Sequence, residues 1–180
     1  MPLQGFNGLR VLTLESRRAV EMSRLIETYS GKAISAPAMR EVPVAENTAA
    51  LNFTHELIAG AYDVVIFLTG AGARALLKVV EEEQHTENFL QSLRRVKVVA
   101  RGPKPLSVLR EWNVPVAVTA PEPCTWRELI TSMEELPGGM QGQRVVVQEY
   151  GVANTELLAA LKERGASVQS FAVYLSLIHI

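Results

Sequence analysis

The chain has 180 residues, 48% of them hydrophobic and 21% charged, and 18 basic against 19 acidic side chains leave a net charge of −1. That length gives one domain or a small pair with a proper core, and excludes a disordered or low-complexity chain. With no basic run longer than Arg17-Arg18 or Arg94-Arg95, nucleic-acid binding by bulk electrostatics is not expected, and an anionic ligand must be held locally. The single cysteine, Cys124, excludes a disulfide framework or a cysteine zinc site, and three histidines make a poor metal cluster. Neither metal nor cofactor is expected. The opening MPLQGFNGLR lacks an apolar signal core and no run of 18 apolar residues follows, so the expectation is a cytoplasmic protein without a membrane partner.

In chain order, Leu9 to Leu14 is a β-rich run, followed by apolar spacing at Val20, Met22, Leu25 and Ile26 that reads as a helix stopped by Gly31. Lys32 to Val44, with Pro37 and Pro43, suits a crossing linker or edge strands. Asn47 or Thr48 caps a second helix ending near Gly60, and VVIFL after Asp63 reads as a strand buried on both faces. The same grammar then repeats. A helix runs from Gly70 through Val80, a short acidic loop and helix lead to VKVVA, and Lys104 to Trp112 is helical. PVAVT, Thr125 to Leu136, RVVVQ, Asn154 to Arg164 and VQSFAVY alternate strand and helix to Tyr174. Continuous apolar strands separated by helices indicate an α/β chain with a parallel sheet flanked by helices. The last six residues, LSLIHI, break this pattern and match the translation of an adapter used in sequencing libraries. Residues 175–180 are therefore read as a non-native tail, with the natural chain continuing differently beyond Tyr174.

Ligands of such sheets sit beyond the carboxyl ends of the strands, where helix N-termini present free N–H groups. TGAGARA places Gly70, Gly72 and Ala75 in dinucleotide-like spacing, but the acidic partner expected about 20 residues on is lacking, because the next strand ends in Arg101. Structural glycines at a helix start are the better reading. Arg101-Gly102-Pro103-Lys104-Pro105 puts two cations beside freed amides, suited to a carboxylate or phosphate, or simply to a helix opened by proline. Gln148, Glu149, Tyr150 and Asn154 line another strand-to-helix turn, with Asn154 read as an N-cap. Cys124, His55 and His85 read as loop or surface residues, and Trp112 and Trp126 as packing residues.

Taken in order, LRVLTLESRRAVEMSRLI, YDVVIFLTGAGARALL, VVARGPKPLSVLRE, QGQRVVVQEYG and GASVQSFAVY resemble the uroporphyrinogen-III synthase family over Leu9 to Tyr174. The resemblance implies two α/β domains joined by an extended two-stranded connection, with a site in the cleft between them. On this chain it places a strand-helix half-domain at 1–31, a connector at 32–43, an inserted domain at 44–167 and a return connector at 168–174. The implied reaction is loss of water from hydroxymethylbilane and closure to uroporphyrinogen III with ring D inverted, by a monomer needing no cofactor. The substrate would be a linear tetrapyrrole rich in carboxylates.

Residue by residue, the resemblance implies Tyr174 as the acid that assists or orients the leaving hydroxyl. It implies Thr69, Gly70 and Gly72, then Arg101, Gly102 and Lys104, and finally Thr125 and Tyr150 as substrate-binding positions. Three departures put substrate handling in question: Pro105 where the family often has Thr, Leu14-Glu15-Ser16 in place of Thr-Arg-Pro, and Leu68 in place of Thr. A non-catalytic sensor domain for an anionic metabolite, fused to a DNA-binding region in the full gene, is the alternative of a different class.

Overall fold

The computed structural model describes the backbone of residues 5–43, 48–151 and 153–178, and their side chains except at 39–43 and 174–178. The chain divides into two compact units, Met1–Val42 with Ser176–Ile180, and Pro43–Leu175.

In the first unit, β1 (Arg10–Thr13) and β2 (Lys32–Ser35) pair in parallel, Leu12 opposite Ile34, and α1 (Ala19–Thr28) connects them. Ile26 is the buried residue of α1, whereas Leu9, Leu12, Leu14, Val20 and Leu25 are all more than half exposed. The prolines at 37 and 43 flank β3 (Met39–Pro43), which forms a two-stranded sheet with β9 (Tyr174–Ile178).

The second unit contains the five-stranded sheet. Its strands are β4 (Val64–Phe67), β5 (Lys97–Ala100), β6 (Val118–Thr119), β7 (Arg144–Glu149) and β8 (Ser167–Ala172). All pair in parallel in the order β6-β5-β4-β7-β8. Period-two alternation divides its side chains between two cores. Val65, Phe67, Val98 and Val146 pack on one face with α2 (Thr48–Ile58), α3 (Gly70–Glu82), α4 (Thr86–Leu93) and α5 (Pro103–Glu111). Val64, Ile66, Leu68, Val99 and Val147 pack on the other with α6 (Trp126–Glu134) and α7 (Thr155–Glu163). Helix α3 illustrates the fit: Ala73, Leu76, Val79 and Val80 recur at helical spacing, and all four are buried.

Lys32 to Ser35 is a paired strand of the first unit: Ser30 turns the chain at a φ of 60°, Gly31 packs closely on Ile26, and AIS lies beside VLT. Residues 168–172 belong to β8, hydrogen-bonded along β7 from Ser167 to Ala172. The strand facing β3 is instead β9, which runs across position 174. A connector and an edge strand share the same half-apolar composition, and only the available partner distinguishes them.

Candidate functional site at the carboxyl edge of the parallel sheet

Strand order reverses between β4 and β7: β5 and β6 were added on one side, β7 and β8 on the other. Chains wound this way leave a crevice at the carboxyl ends of the two strands where the order turns. In the register, Phe67 lies beside Ala100 on one side and Gln148 on the other. The Arg101 amide continues the ladder by donating to the Phe67 carbonyl at 3.0 Å. Arg101, Leu68 and Glu149 are the next residues along these three strands, with the two charged residues on either side of the central one.

Thr69, Gly70 and Gly72 open α3. The Thr69 hydroxyl oxygen accepts from the Gly72 amide at 3.0 Å, making Thr69 the N-cap of the helix and occupying one of the amides expected to face ligand. Both glycines are buried by close packing: a Cβ on Gly70 would lie 2.8 Å from the Lys104 carbonyl oxygen, and one on Gly72 would lie 2.1 Å from Gln148 Nε2. Their absence of side chains is thus explained within the fold. Gly102 is the N-cap of α5, with Pro103 at its first turn; a Cβ there would meet Cys124 at 3.2 Å. Lys104 is exposed beside it. Thr125 closes a capping box at α6, accepting from the Arg127 amide at 3.2 Å while Glu128 accepts from the Thr125 amide at 2.9 Å and from its hydroxyl. The hydroxyl is engaged in holding the helix start. Of the expected binding positions, the side chains that meet are Arg101 and Tyr150: Arg101 Nη1 donates to the Tyr150 hydroxyl at 3.3 Å, and its guanidinium carbon lies 5.2 Å from the ring centroid. Tyr174 begins β9, and the role expected of its side chain lies outside the described side chains.

Outside this edge, the first strand-to-helix turn is already filled. Glu15 Oε1 accepts from the amides of Ser16, Arg17 and Arg18 at 3.1, 2.9 and 3.2 Å. Those bonds hold the Glu15 carboxyl below its usual range. The protein's own carboxylate sits where a helix start would otherwise hold an anion.

Glu149 and Gln148 were not among the expected binding residues, although both end the strand nearest the crevice. Glu149 is 2% exposed; its Oε1 accepts from the Asn154 amide at 3.2 Å and its Oε2 has no partner. Burial pushes the carboxyl up, opposed by the Asn154 amide and by the Arg101 charge. Gln148 is fully buried against Gly72, its Nε2 donating to the Glu149 carbonyl and its Oε1 unpartnered. The legible signal was two consecutive polar residues closing an otherwise apolar parallel strand, RVVVQE. Asn154 caps α7 as its position suggested, accepting from the Leu157 amide at 3.0 Å. Trp112 packs edge-on to Phe67 in the core, while Trp126 donates to Glu156 at 3.1 Å. Among the described residues no group of three or more His, Cys, Asp or Glu side chains could hold a metal ion, and no helix is long and apolar enough to cross a membrane.

The fold just described defines an α/β protein with a five-stranded parallel sheet flanked by helices. The chain belongs to the uroporphyrinogen-III synthase HemD family, whose profile matches residues 20–178. Its fold is similar to that of a mutant uroporphyrinogen III synthase from the extremely thermophilic bacterium Thermus thermophilus, with a TM-score of 0.73 and 24% identity over 96% of this chain and 64% of that one. The wild-type enzyme of the same organism is similar at a TM-score of 0.65 and 27% identity, covering 96% of this chain and 63% of that one. Uncharacterized protein YjjA of Bacillus subtilis (strain 168) is 34% identical over 174 residues, 95% of this chain and 62% of its own length. The chain thus spans a little under two thirds of the relatives it matches.

Proposed function

We propose that this chain is the substrate-gathering part of a uroporphyrinogen-III synthase, which closes hydroxymethylbilane to uroporphyrinogen III with ring D inverted. The observation that carries the reading is the family membership combined with a carboxyl edge bearing Arg101, Tyr150 and the starts of α3, α5 and α7. A near-neutral protein can bind a polycarboxylate when the positive ends of several helices and one or two cations converge. Rate acceleration then comes from holding a flexible chain in one folded geometry, with acid assistance to the departing hydroxyl. Tyr174 is assigned that assistance on the resemblance of its position, and Arg101, Lys104, Thr69 and Tyr150 surround the carboxylates. The 1–31 segment is a half-domain in this reading, supported by the exposed Leu9, Leu12, Leu14 and Val20.

The test is to supply hydroxymethylbilane and resolve the uroporphyrinogen isomers. A protein of the relatives' full length, carrying this sequence, should yield the type III isomer, whereas these 180 residues alone should leave the spontaneous type I product. Exclusive type I product from the longer protein would refute the enzymatic reading. The departures at Glu15 and Pro105 take two helix starts out of anion binding and so favour, as the second reading, a domain that binds its ligand through the rest of the edge without turnover. The Glu15 carboxylate already satisfies one helix start, and Pro105 has no amide hydrogen to offer another. Tight tetrapyrrole binding without turnover would support it.

A further inference from the structure

The crevice presents opposite charges in one row. Arg101 and Glu149 flank Leu68, on strands each adjacent to β4, so their backbones stand about 10 Å apart. Arg101 is held by Tyr150, which is 38% exposed, whereas Glu149 is almost wholly buried with one oxygen anchored by Asn154 and the other unanswered. A buried acceptor left unpaired costs about 1–3 kcal/mol, so Oε2 calls for a partner, be it a water, a proton or a ligand group. The anchoring of the α7 start uses Oε1 and leaves Oε2 available to a second partner. Gln148 Oε1 is unpaired too, but it faces the first turn of α3 at Gly72 and belongs to helix packing.

We propose that Glu149 and Arg101 together recognise a ligand carrying an N–H donor beside a carboxylate, the N–H meeting Glu149 Oε2 and the carboxylate meeting the Arg101 guanidinium. Such a ligand adds a charge-assisted pair to Arg101 while the Tyr150 ring continues to hold the guanidinium. Its donor replaces the solvation that burial removed from Glu149, whose carboxyl is otherwise pushed up. In its naming of the ligand the proposal rests on the tetrapyrrole reading, where the group would be one acid-substituted pyrrole ring. Backbone amides at helix starts can bind carboxylates of any skeleton; an acceptor for the ring N–H is what makes the edge selective for pyrrole acids.

The probe pair is pyrrole-2-carboxylate and furan-2-carboxylate, which differ in the ring N–H and match in shape and charge. Each is titrated into the 180-residue protein through the millimolar range, following the Glu149 side-chain carboxyl resonance by ¹³C NMR. The pyrrole acid should bind about ten-fold or more tighter than the furan acid, the size expected of one satisfied polar contact. Glu149→Leu should bring the two affinities together, Glu149→Gln should reduce the preference while keeping the Asn154 anchor, and Arg101→Leu should weaken both acids. Equal affinities in the unmodified protein, or binding of neither acid, would overturn the proposal without recourse to any variant. A linear tetrapyrrole that fails to bind a protein still selective for the pyrrole acid would count against the proposed substrate and leave the two-residue site standing.

Discussion

Arg101 lies over the ring of Tyr150 and donates to its hydroxyl, joining the turn after β5 to the turn after β7 across the central strand of the sheet. The pairing holds a guanidinium in a fixed orientation beside the crevice without neutralising it. A preorganised cation is what a polycarboxylate requires, because the ordering cost is met before the ligand arrives.

Replacing Arg101 by Gln should weaken binding of a linear tetrapyrrole by about ten-fold or more, and Arg101→Lys should restore little of it, since an ammonium lacks the planar fork that grips a carboxylate and stacks on a ring. Tyr150→Phe should have a smaller effect, because the ring face remains. Isothermal titration of the three variants checks the order; full recovery by lysine would show that charge alone matters.

Gly72→Ala should be destabilising by about 1–3 kcal/mol despite the better helix propensity of alanine, because the new methyl would collide with the Gln148 amide. Combining it with Gln148→Ala should recover a large part of the loss. Urea unfolding of the two single variants and the pair measures the coupling, and strict additivity would mean that the two side-chain positions do not conflict.

Asp63, just before β4, and Arg144, the first residue of β7, form a bidentate pair, with Arg144 Nη2 2.8 Å from Oδ1 and Nε 3.0 Å from Oδ2. The Arg144 guanidinium and amide hold the Asp63 carboxyl down at about 2 against a usual 3.8. A depressed acid contributes stability that is complete above its unfolded value and is lost as pH falls from 3.8 through about 2. The pair is about half exposed, so the loss should be about 0–1 kcal/mol. Acid unfolding of Asp63→Asn should show a shallower decline in that window than the unmodified protein.

Glu149 titrates in the opposite sense. Its folded value lies above the usual 4.5, raised by burial, so above 4.5 the unfolded chain sheds a proton that the folded chain retains, and stability declines as pH rises toward the folded value. Glu149→Gln removes that decline while leaving an amide oxygen for Asn154. Thermal unfolding should find the variant more stable than the unmodified protein at about pH 8 and close to it at about pH 4. A variant that loses stability equally at both would assign Glu149 to anchoring α7 and nothing else.

Much of this protein was determined by local pattern. VVIF, KVVA and RVVVQ read as strands covered on both faces, Gly31 follows the end of α1, and Asn154 could be placed at a helix start because its side-chain oxygen accepts from an N–H three residues on, whereas Thr69 and Thr125, read as binding positions, prove to cap helices in the same way. The α/β class and the family resemblance follow from such short-range features in order. What only the tertiary structure decided is which segments become neighbours. VQSFA and the following YLSLI have similar composition, yet one pairs with β7 and the other forms a sheet with β3. Gly70 and Gly72 read as structural, but the neighbours that require them, Lys104 and Gln148, come from distant turns. Glu149 read as one more loop acid until the sheet buried it in the row with Arg101. Burial and pairing are sums over residues far apart in the chain, and no local window of sequence contains them.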